Sequence, residues 1–412
     1  MESVQTVIVG AGQAGLSLSY ALSRRGHTHV LLERGRVAER WRSERWDGLY
    51  FQTPNLLVGL PGLPFPHSDP DGYSTATQIA DYLEAYAVSC AGPVRRGVNV
   101  ERLTAGTSAR FLLETSEGLL AAQNVVLATG PFQRPVTPSL LPDSAPVQQL
   151  HAVDYRAPRQ LPDGAVLVVG AGASGAQIAD ELLRAGRQVY LSVSRHRRAP
   201  RRYRGHDHVW WWIETGLAQT PPEKLSPDQS PVVHSGAYGG HTIDFRDYAA
   251  RGMTLLGRAE SADELGMNFA ADLAGNLAHG DAAYLGFLDF VDGHIERTGM
   301  DLSPDPTARR IRETPPEMHT PLRRLEYRRD NIASVIWATG YALDFSWVDL
   351  PIFGANGDPC HAQGRTSVPG LYFIGLNLLS KLSSSFLLGV AEDAERLAGL
   401  IADDGTAEAL QV

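Results

Sequence analysis

"TVIVGAGQAGLSLSYALSRRGHTHVLLER" (residues 6–34) passes from a β-branched apolar run through a glycine turn into a helical segment, ends that segment at Gly26, and enters a second apolar run. Strand, turn, helix and strand in that order make a βαβ unit. The residue types at the turn follow from what a bound pyrophosphate requires. Gly10 permits the tight turn and Gly12 lets the backbone approach the phosphates. Gly15 lets the helix pack closely on the strand, with the phosphates at the helix N-terminus.

The unit occurs twice. "LVVGAGASGAQIADELLRAGRQVYLSVSR" (167–195) repeats it at an offset of 160, so that Gly10, Gly12, Gly15, Leu22 and Gly26 fall on Gly170, Gly172, Gly175, Leu182 and Gly186. Each copy has the strand-before, helix-after context that gives GxGxxG its meaning. The fold class is therefore α/β, with two Rossmann-like dinucleotide-binding domains.

The copies diverge at the end of the second strand. The first carries Glu33, placed to hydrogen-bond free ribose hydroxyls, whereas the second carries Val193, Ser194 and Arg195. A carboxylate repels a 2′-phosphate and a Ser–Arg pair attracts one. The first unit is thus expected to hold FAD and the second NADPH rather than NADH. Arg195 opens a knot of six arginines in ten positions (195–204). Arg201, after the Pro200 turn, is a second candidate for the ribose phosphate, and the others read as a solvated rim or as partners of nearby carboxylates.

Composition excludes other classes. With 37 Lys+Arg against 46 Asp+Glu, the formal charge is −9, unlike the extended basic face that nucleic-acid binding needs. No uninterrupted apolar run approaches the ~18 residues of a membrane span, and the N-terminus lacks a signal peptide's basic region. Two distant cysteines, Cys90 and Cys360, form no CxxC and suit the reducing cytoplasm. His206 and His208 have ligand-like spacing, but no Cys or carboxylate cluster completes a zinc set, so no metal is expected. "GASGA" (172–176) is not the GxSxG of a nucleophile elbow. "HVWWWIETGL" (208–217) reads equally as the lining of a substrate tunnel and as packing.

Two further segments, "NVVLATGPFQRP" (124–135) and "SVIWATGYALDF" (334–345), each read as a buried strand ending in Ala-Thr-Gly, where glycine permits close approach to a cofactor or an interdomain hinge. Together with "ERWRSERWDGLYFQTPNLLVGLPGLPFP", "HAVDY", "SRHRRAPRR" and "PGLYFIGLNLLSKLSSSFLLGVAEDA", these stretches make the chain resemble, nearly end to end, the single-component flavin-containing monooxygenases. The family's FxGxxxHxxxY hallmark is present only in its second half. His151 and Tyr155 match, while Ala145 and Val147 stand for the Phe and Gly. Tyr155-Arg156 is closer to heteroatom oxygenases than to Baeyer–Villiger enzymes.

The resemblance implies that NADPH reduces FAD, that the reduced flavin and O2 form a C4a-hydroperoxide, and that a small organic substrate takes an oxygen atom. It assigns the cofactors, beside the glycine motifs, Ser174, Glu33, Ser194 and Arg195, to Trp41, Arg42, Val100, Thr129, Gly130, His151, Tyr155, Thr339, Gly340 and Ser384, and it puts Gln52 beside the reactive edge, where its amide hydrogen-bonds a peroxide oxygen. "SSSFLLGVAEDAERLAGLIA" (383–402) reads as a helix opened by serines, its dipole aimed at the flavin. The expected organisation inserts the NADPH domain into the FAD domain. Residues 1–155 form the first FAD-domain segment, 156–324 the NADPH domain with substrate-pocket helices in 255–324, and 325–412 the second FAD-domain segment. Oligomeric state, a homodimer included, is left open. Two rivals share the double-dinucleotide plan. A disulfide reductase needs a redox-active cysteine pair, which is lacking, and an NADPH oxidase or dehydrogenase passing electrons to a quinone needs only the same cofactors.

Overall fold

Both βαβ units form where the repeat places them in the computed structural model, which describes residues 2–107, 109–228 and 230–409. The first comprises strand Glu2–Val9, helix Gln13–Ser23 and strand His29–Glu33, with Val9 opposite Leu32 in a parallel pair. The second comprises Ala165–Val169, Ala173–Arg184 and Val189–Ser192, with Val169 opposite Ser192. These strands are apolar without alternation because helices and loops cover both faces of a mainly parallel sheet.

Each unit nucleates its own sheet. The first has seven strands, in the order Val94–Arg96, His29–Glu33, Glu2–Val9, Gly118–Leu127, Phe111–Thr115 and Val100–Ala105, with Leu371–Phe373 also paired to Gly118–Leu127. The second has five parallel strands, in the order Gln148–His151, Ile332–Trp337, Ala165–Val169, Val189–Ser192 and Thr254–Leu256. The C-terminal helix Val390–Ala409 returns to the first domain, where Leu397 and Ile401 share a core with Leu16 and Leu22.

This topology corrects the expected boundaries at 155/156 and 324/325. The strand of "SVIWATG" lies in the middle of the second sheet, flanked by Gln148–His151 and Ala165–Val169. Its side chains alternate between two cores of that domain: Ile336 faces one, Val335 and Trp337 the other. The second domain therefore takes in the strand at 148, with Leu141 and Ala145 before it, and holds the chain through 337. The first domain resumes with Phe345 and Val348, which pack into its core. The 255–324 segment is only partly helical. It supplies the 26-residue helix Leu273–Thr298, but also strands Ala259–Ala262 and Gly266–Phe269, which join Arg324–Glu326 in an antiparallel sheet.

The two Ala-Thr-Gly segments are equivalent. Val9 pairs with Leu127 and Ala128 N donates to the Val9 carbonyl (2.9 Å), while Val169 pairs with Trp337 and Ala338 N donates to the Val169 carbonyl (2.8 Å). In both, the alanine carbonyl closes on the first glycine of the motif. A methyl at Gly10 would lie 2.7 Å from the Ala128 oxygen, and one at Gly170 2.5 Å from the Ala338 oxygen. Both glycines also have positive φ, +111° and +106°. Beyond the motifs the two chains meet. Arg134–Pro135 pairs antiparallel with Tyr341–Ala342, and Gln133 Nε2 donates to Thr129 Oγ1 and the Gly130 carbonyl (both 2.8 Å). The two nucleotide-binding domains are thus joined by a short ribbon grown from their own motifs.

A methyl at Gly175 would collide with the Gly170 carbonyl oxygen, whereas one at Gly172 would meet only Pro231 carbons at 3.6 Å. Gly175→Ala is therefore expected to destabilise the protein by ~1–3 kcal/mol or more, as overpacking does, and Gly172→Ala by little. Denaturant melts of the two variants check this, and equal midpoints would refute the packing account.

Candidate dinucleotide cleft and its surroundings

A cleft of about 330 Å³ opens at the end of the first βαβ unit, and Gly10, Gly12, Glu33, Trp41, Thr129 and Gly130 are among the residues lining it. Val100 lines it as well. Gly12 faces open space, with nothing within 4 Å of an added methyl. It is also the N-cap of helix Gln13–Ser23, makes no side-chain cap, and is followed by no acidic residue in the first turn. The helix therefore presents uncapped N–H groups and the positive end of its dipole to the cleft, which makes an anion site. Glu33 is fixed by two backbone donors. Its Oε2 accepts from Ala11 N and its Oε1 from Gly35 N, each at 2.9 Å, and each oxygen retains a lone pair for a ribose hydroxyl. Gly15 lies beneath the cleft rather than on its wall, seating the helix on the Gly10 carbonyl.

Four of the sequence assignments fall elsewhere. The Arg42 guanidinium turns out to Asp81 (2.9 Å). Arg45, two residues beyond the short helix Glu39–Ser43 that carries Trp41, lines the cleft instead, its guanidinium 5.5 Å from the Trp41 ring and 5.7 Å from the Phe132 ring. Burial lowers its pKa from the ordinary arginine value. Ser384 is fully buried, and its hydroxyl accepts from Ser380 N (3.0 Å) and Lys381 N (3.1 Å). Ser385 faces the cleft, and its carbonyl accepts from Gln13 Nε2 (2.6 Å). The helix beyond begins at Val390 and not at Ser383, so its dipole is not aimed from the serines. Gln52 stands outside the cleft wall, half-buried, with its carbonyl accepting from Arg201 Nη1 (3.0 Å).

His151, Thr339 and Gly340 serve the junction between the domains, and Tyr155 packs within the second. His151 Nδ1 accepts from Val153 N (3.1 Å), so the proton sits on Nε2, which donates to the Gly340 carbonyl (3.1 Å). Burial lowers its pKa and favours this neutral tautomer. Tyr155 is fully buried and its hydroxyl donates to Glu181 Oε2 (2.8 Å). Burial raises the pKa of that phenol and of the Glu181 carboxyl alike. Thr339 Oγ1 donates to the Val136 carbonyl.

At the second motif, Gly170 closes the turn, Gly175 seats the helix, and Gly172 and Ser174 stand at its start. Ser194 is half-buried and Arg195 exposed, with Arg195 Nη2 3.4 Å from His279 Nδ1. His279 Nε2 lies 2.8 Å from Asp228 Oδ2. The segment around Pro231 lies across Gly172, held by Arg197, whose N and Nε donate to the Pro231 and Ser230 carbonyls (2.9 and 2.8 Å). Arg201 is not at this site. It is 2% exposed and ion-paired to Asp207 at 2.5 Å, and its burial and pairing leave no guanidinium face for a ribose phosphate. Arg198 and Arg204 are likewise taken by Asp281 and Asp292 (2.8 and 2.7 Å). His206 and His208 diverge. His206 stacks on Trp210 at 3.8 Å while His208 is buried beside Trp212, and no group of three or more metal-ligating side chains occurs among the described residues. No helix among them is long and apolar enough to cross a membrane.

Comparison with known proteins agrees with this architecture. The profile of the pyridine nucleotide-disulphide oxidoreductase family matches residues 7–226. An uncharacterized CzcO-like oxidoreductase of Geobacillus kaustophilus is 31% identical over 398 residues, covering 96% of this chain and 97% of its own. The indole-3-pyruvate monooxygenase YUCCA1 of Oryza sativa subsp. japonica is 34% identical over 196 residues, 45% of this chain and 47% of its own. The solved flavin-containing monooxygenase from Stenotrophomonas maltophilia has the same fold, with a TM-score of 0.67 at 21% identity over 98% of this chain and 99% of that one. Cys90 and Cys360 are both free, so membership extends to the fold and not to a disulfide centre. The chain belongs to the pyridine nucleotide-disulphide oxidoreductase family, among its flavin monooxygenase-like oxidoreductases.

Proposed function

We propose that the chain is an FAD- and NADPH-dependent monooxygenase of the cytoplasm that transfers one oxygen atom of O2 to a small organic substrate. The observation that carries this reading is the contrast between two otherwise equivalent strand ends, Glu33 at one and Ser194–Arg195 at the other. One suits a ribose with free hydroxyls and the other a ribose phosphate. Neither cysteine has a partner to receive the electrons that such a pair of sites would deliver, which favours a flavin reacting directly with a diffusible acceptor. The flavin monooxygenase names among the relatives favour O2 as that acceptor.

The uncapped helix start and Glu33 suit the pyrophosphate and ribose of a dinucleotide. In this reading the N–H groups after Gly12 hold the pyrophosphate, Glu33 holds the adenosine ribose, and Arg45 and Trp41 close the cleft wall. When bound, the flavin supplies hydride acceptance and oxygen activation. The protein contributes position and the exclusion of water. Arg195 and Ser194 hold the 2′-phosphate at the second motif. The ribbon from Arg134–Pro135 to Tyr341–Ala342, with His151 holding Gly340, keeps the two nucleotides in one register.

Three measurements test this. Gly12→Ala places a methyl in open space, so the variant should fold normally and yet hold FAD about ten- to a hundredfold less tightly, the loss expected when charge-assisted phosphate contacts are displaced. Equilibrium dialysis and a thermal melt separate the two effects. Arg195→Ala should raise the Michaelis constant for NADPH about ten- to a hundredfold and leave NADH nearly untouched. Equal weakening of both would make Arg195 structural. Gln52 stands outside the cleft wall and is held there through its backbone carbonyl, so Gln52→Ala should leave both flavin reduction by NADPH and the share of NADPH released as hydrogen peroxide unchanged. A share raised about several-fold on flavin-replete protein would instead put its amide at the reacting centre.

A further inference from the structure

Next to the Gln52 loop, whose carbonyl Arg201 binds, lies a group of buried polar side chains with hydrogen-bonding capacity unspent. His208 is 3% exposed, and neither of its ring nitrogens has a partner among the described residues. His234 is 7% exposed with Nδ1 unpartnered, and Arg201 is 2% exposed with Nε unpartnered. The two imidazole rings are 5.8 Å apart, and the Arg201 backbone carbonyl accepts from the His208 backbone N–H (2.9 Å). Buried polar groups are normally paired, and each exception carries its full desolvation cost, so three in contact call for a reason.

The surroundings say what would pair them. The rest of the wall is aromatic. Phe287 lies 4.4 Å and Trp212 5.2 Å from the His208 ring, and Trp212 lies 5.9 Å from Phe386. Phe386 follows the cleft-lining Ser385, so this aromatic set runs next in the chain to a residue of the cleft. The charges within it already cancel. Asp207 offsets Arg201, and the Asp207 oxygens are spent on Arg201, Val209 N and the Tyr73 hydroxyl. Burial holds both histidines neutral, His234 down to about 3 and His208 well below its ordinary value. An ionised ligand would shed its hydration here and find no counter-ion. A neutral imidazole offers one N–H and one bare nitrogen, the complement of a hydroxyl, which donates once and accepts.

We infer that His208 and His234, with Arg201 Nε, form a substrate subsite for an uncharged aromatic molecule carrying a hydroxyl group, its ring against Trp212 and Phe287. The inference rests on the proposed flavin-dependent reading, which it deepens by naming the substrate class.

The test uses FAD-loaded protein at neutral pH and three probes of one size: 4-methylphenol, which is uncharged, the anion 4-methylbenzoate and the cation 4-methylbenzylamine. Tryptophan fluorescence, with Trp212 in the wall, and equilibrium dialysis report binding. Saturable binding of 4-methylphenol about tenfold or more tighter than either charged probe supports the subsite. No saturable binding, or a charged probe binding as tightly, overturns it. His208→Phe keeps a ring in the wall and removes the unpartnered nitrogens. It should melt no lower than the wild type and bind 4-methylphenol about tenfold more weakly. Unchanged affinity, or a marked loss of stability, would make His208 a packing residue and overturn the proposal. Failure of the underlying reading looks different. Protein that takes up no FAD or does not oxidise NADPH refutes the flavin assignment, whereas FAD-loaded protein that oxidises NADPH but ignores 4-methylphenol refutes only the subsite.

Discussion

Each half of the molecule depends on a place where backbone meets backbone with no room for a Cβ. Gly15 rests on the Gly10 carbonyl and Gly10 on the Ala128 carbonyl, and in the second domain Gly175 rests on Gly170 and Gly170 on Ala338. These contacts bring helix, turn and neighbouring strand within van der Waals distance of one another. That closeness aims the uncapped helix N-terminus at the space above the sheet, where it favours negative charge. The cleft is therefore a consequence of packing rather than an addition to it. The same glycines that permit the approach would transmit any misplacement of the strand ends to whatever lies above them.

The ribbon between the domains extends this constraint. Because each Ala-Thr-Gly segment is clamped against its own glycine motif, the residues that follow it leave the two domains in fixed directions and pair as Arg134–Pro135 with Tyr341–Ala342. Gln133 reinforces the first exit and its Oε1 accepts from Asp344 N (2.6 Å), while His151 secures the second through Gly340. A relative shift of the domains has to be absorbed by this ribbon and where the Glu181 carboxyl of the second domain lies against Gly48 of the first. Within the second domain the Tyr155 hydroxyl holds that carboxyl, and both groups are desolvated.

How much of this was legible follows from what sequence encodes locally. The glycine motifs, the acid at one strand end and the arginine at the other could be read because turn geometry and ribose chemistry demand particular residues at fixed spacing. The partner of a strand is not a local property. "SVIWATG" and "NVVLATG" look alike, and nothing in either says which sheet it joins, so "SVIWATG", expected in the first domain, pairs instead with Ala165–Val169 in the second. Side-chain direction was equally hidden. Ser384 and Ser385 are neighbours of one type, yet only the second faces the cleft, and in "WRSER" the useful guanidinium is Arg45, not Arg42. The unpartnered nitrogens of His208 could not be foreseen at all, since they depend on what a tertiary environment fails to supply.

The arginine knot shows how one stretch reconciles these demands in an acidic chain. Arg198 is buried against Asp244 and Asp281, which Arg246 also binds, so two cations and two carboxylates share one desolvated network. Removing one partner of such a set leaves an uncompensated buried charge, about 3–5 kcal/mol in comparable cases, so the stretch is held firmly in place. That anchorage has consequences at both ends. Three residues before Arg198, Arg195 reaches solvent at the second strand end, and Arg197 holds the Pro231 segment over Gly172. Three residues after it, Arg201 grips the Gln52 carbonyl beneath the first cleft. Seven consecutive residues therefore span the distance from one glycine motif's surroundings to the other's. Their buried charges keep the intervening chain from relaxing, so a displacement at the second strand end reaches the Gln52 loop through an ion-paired segment as well as through the ribbon.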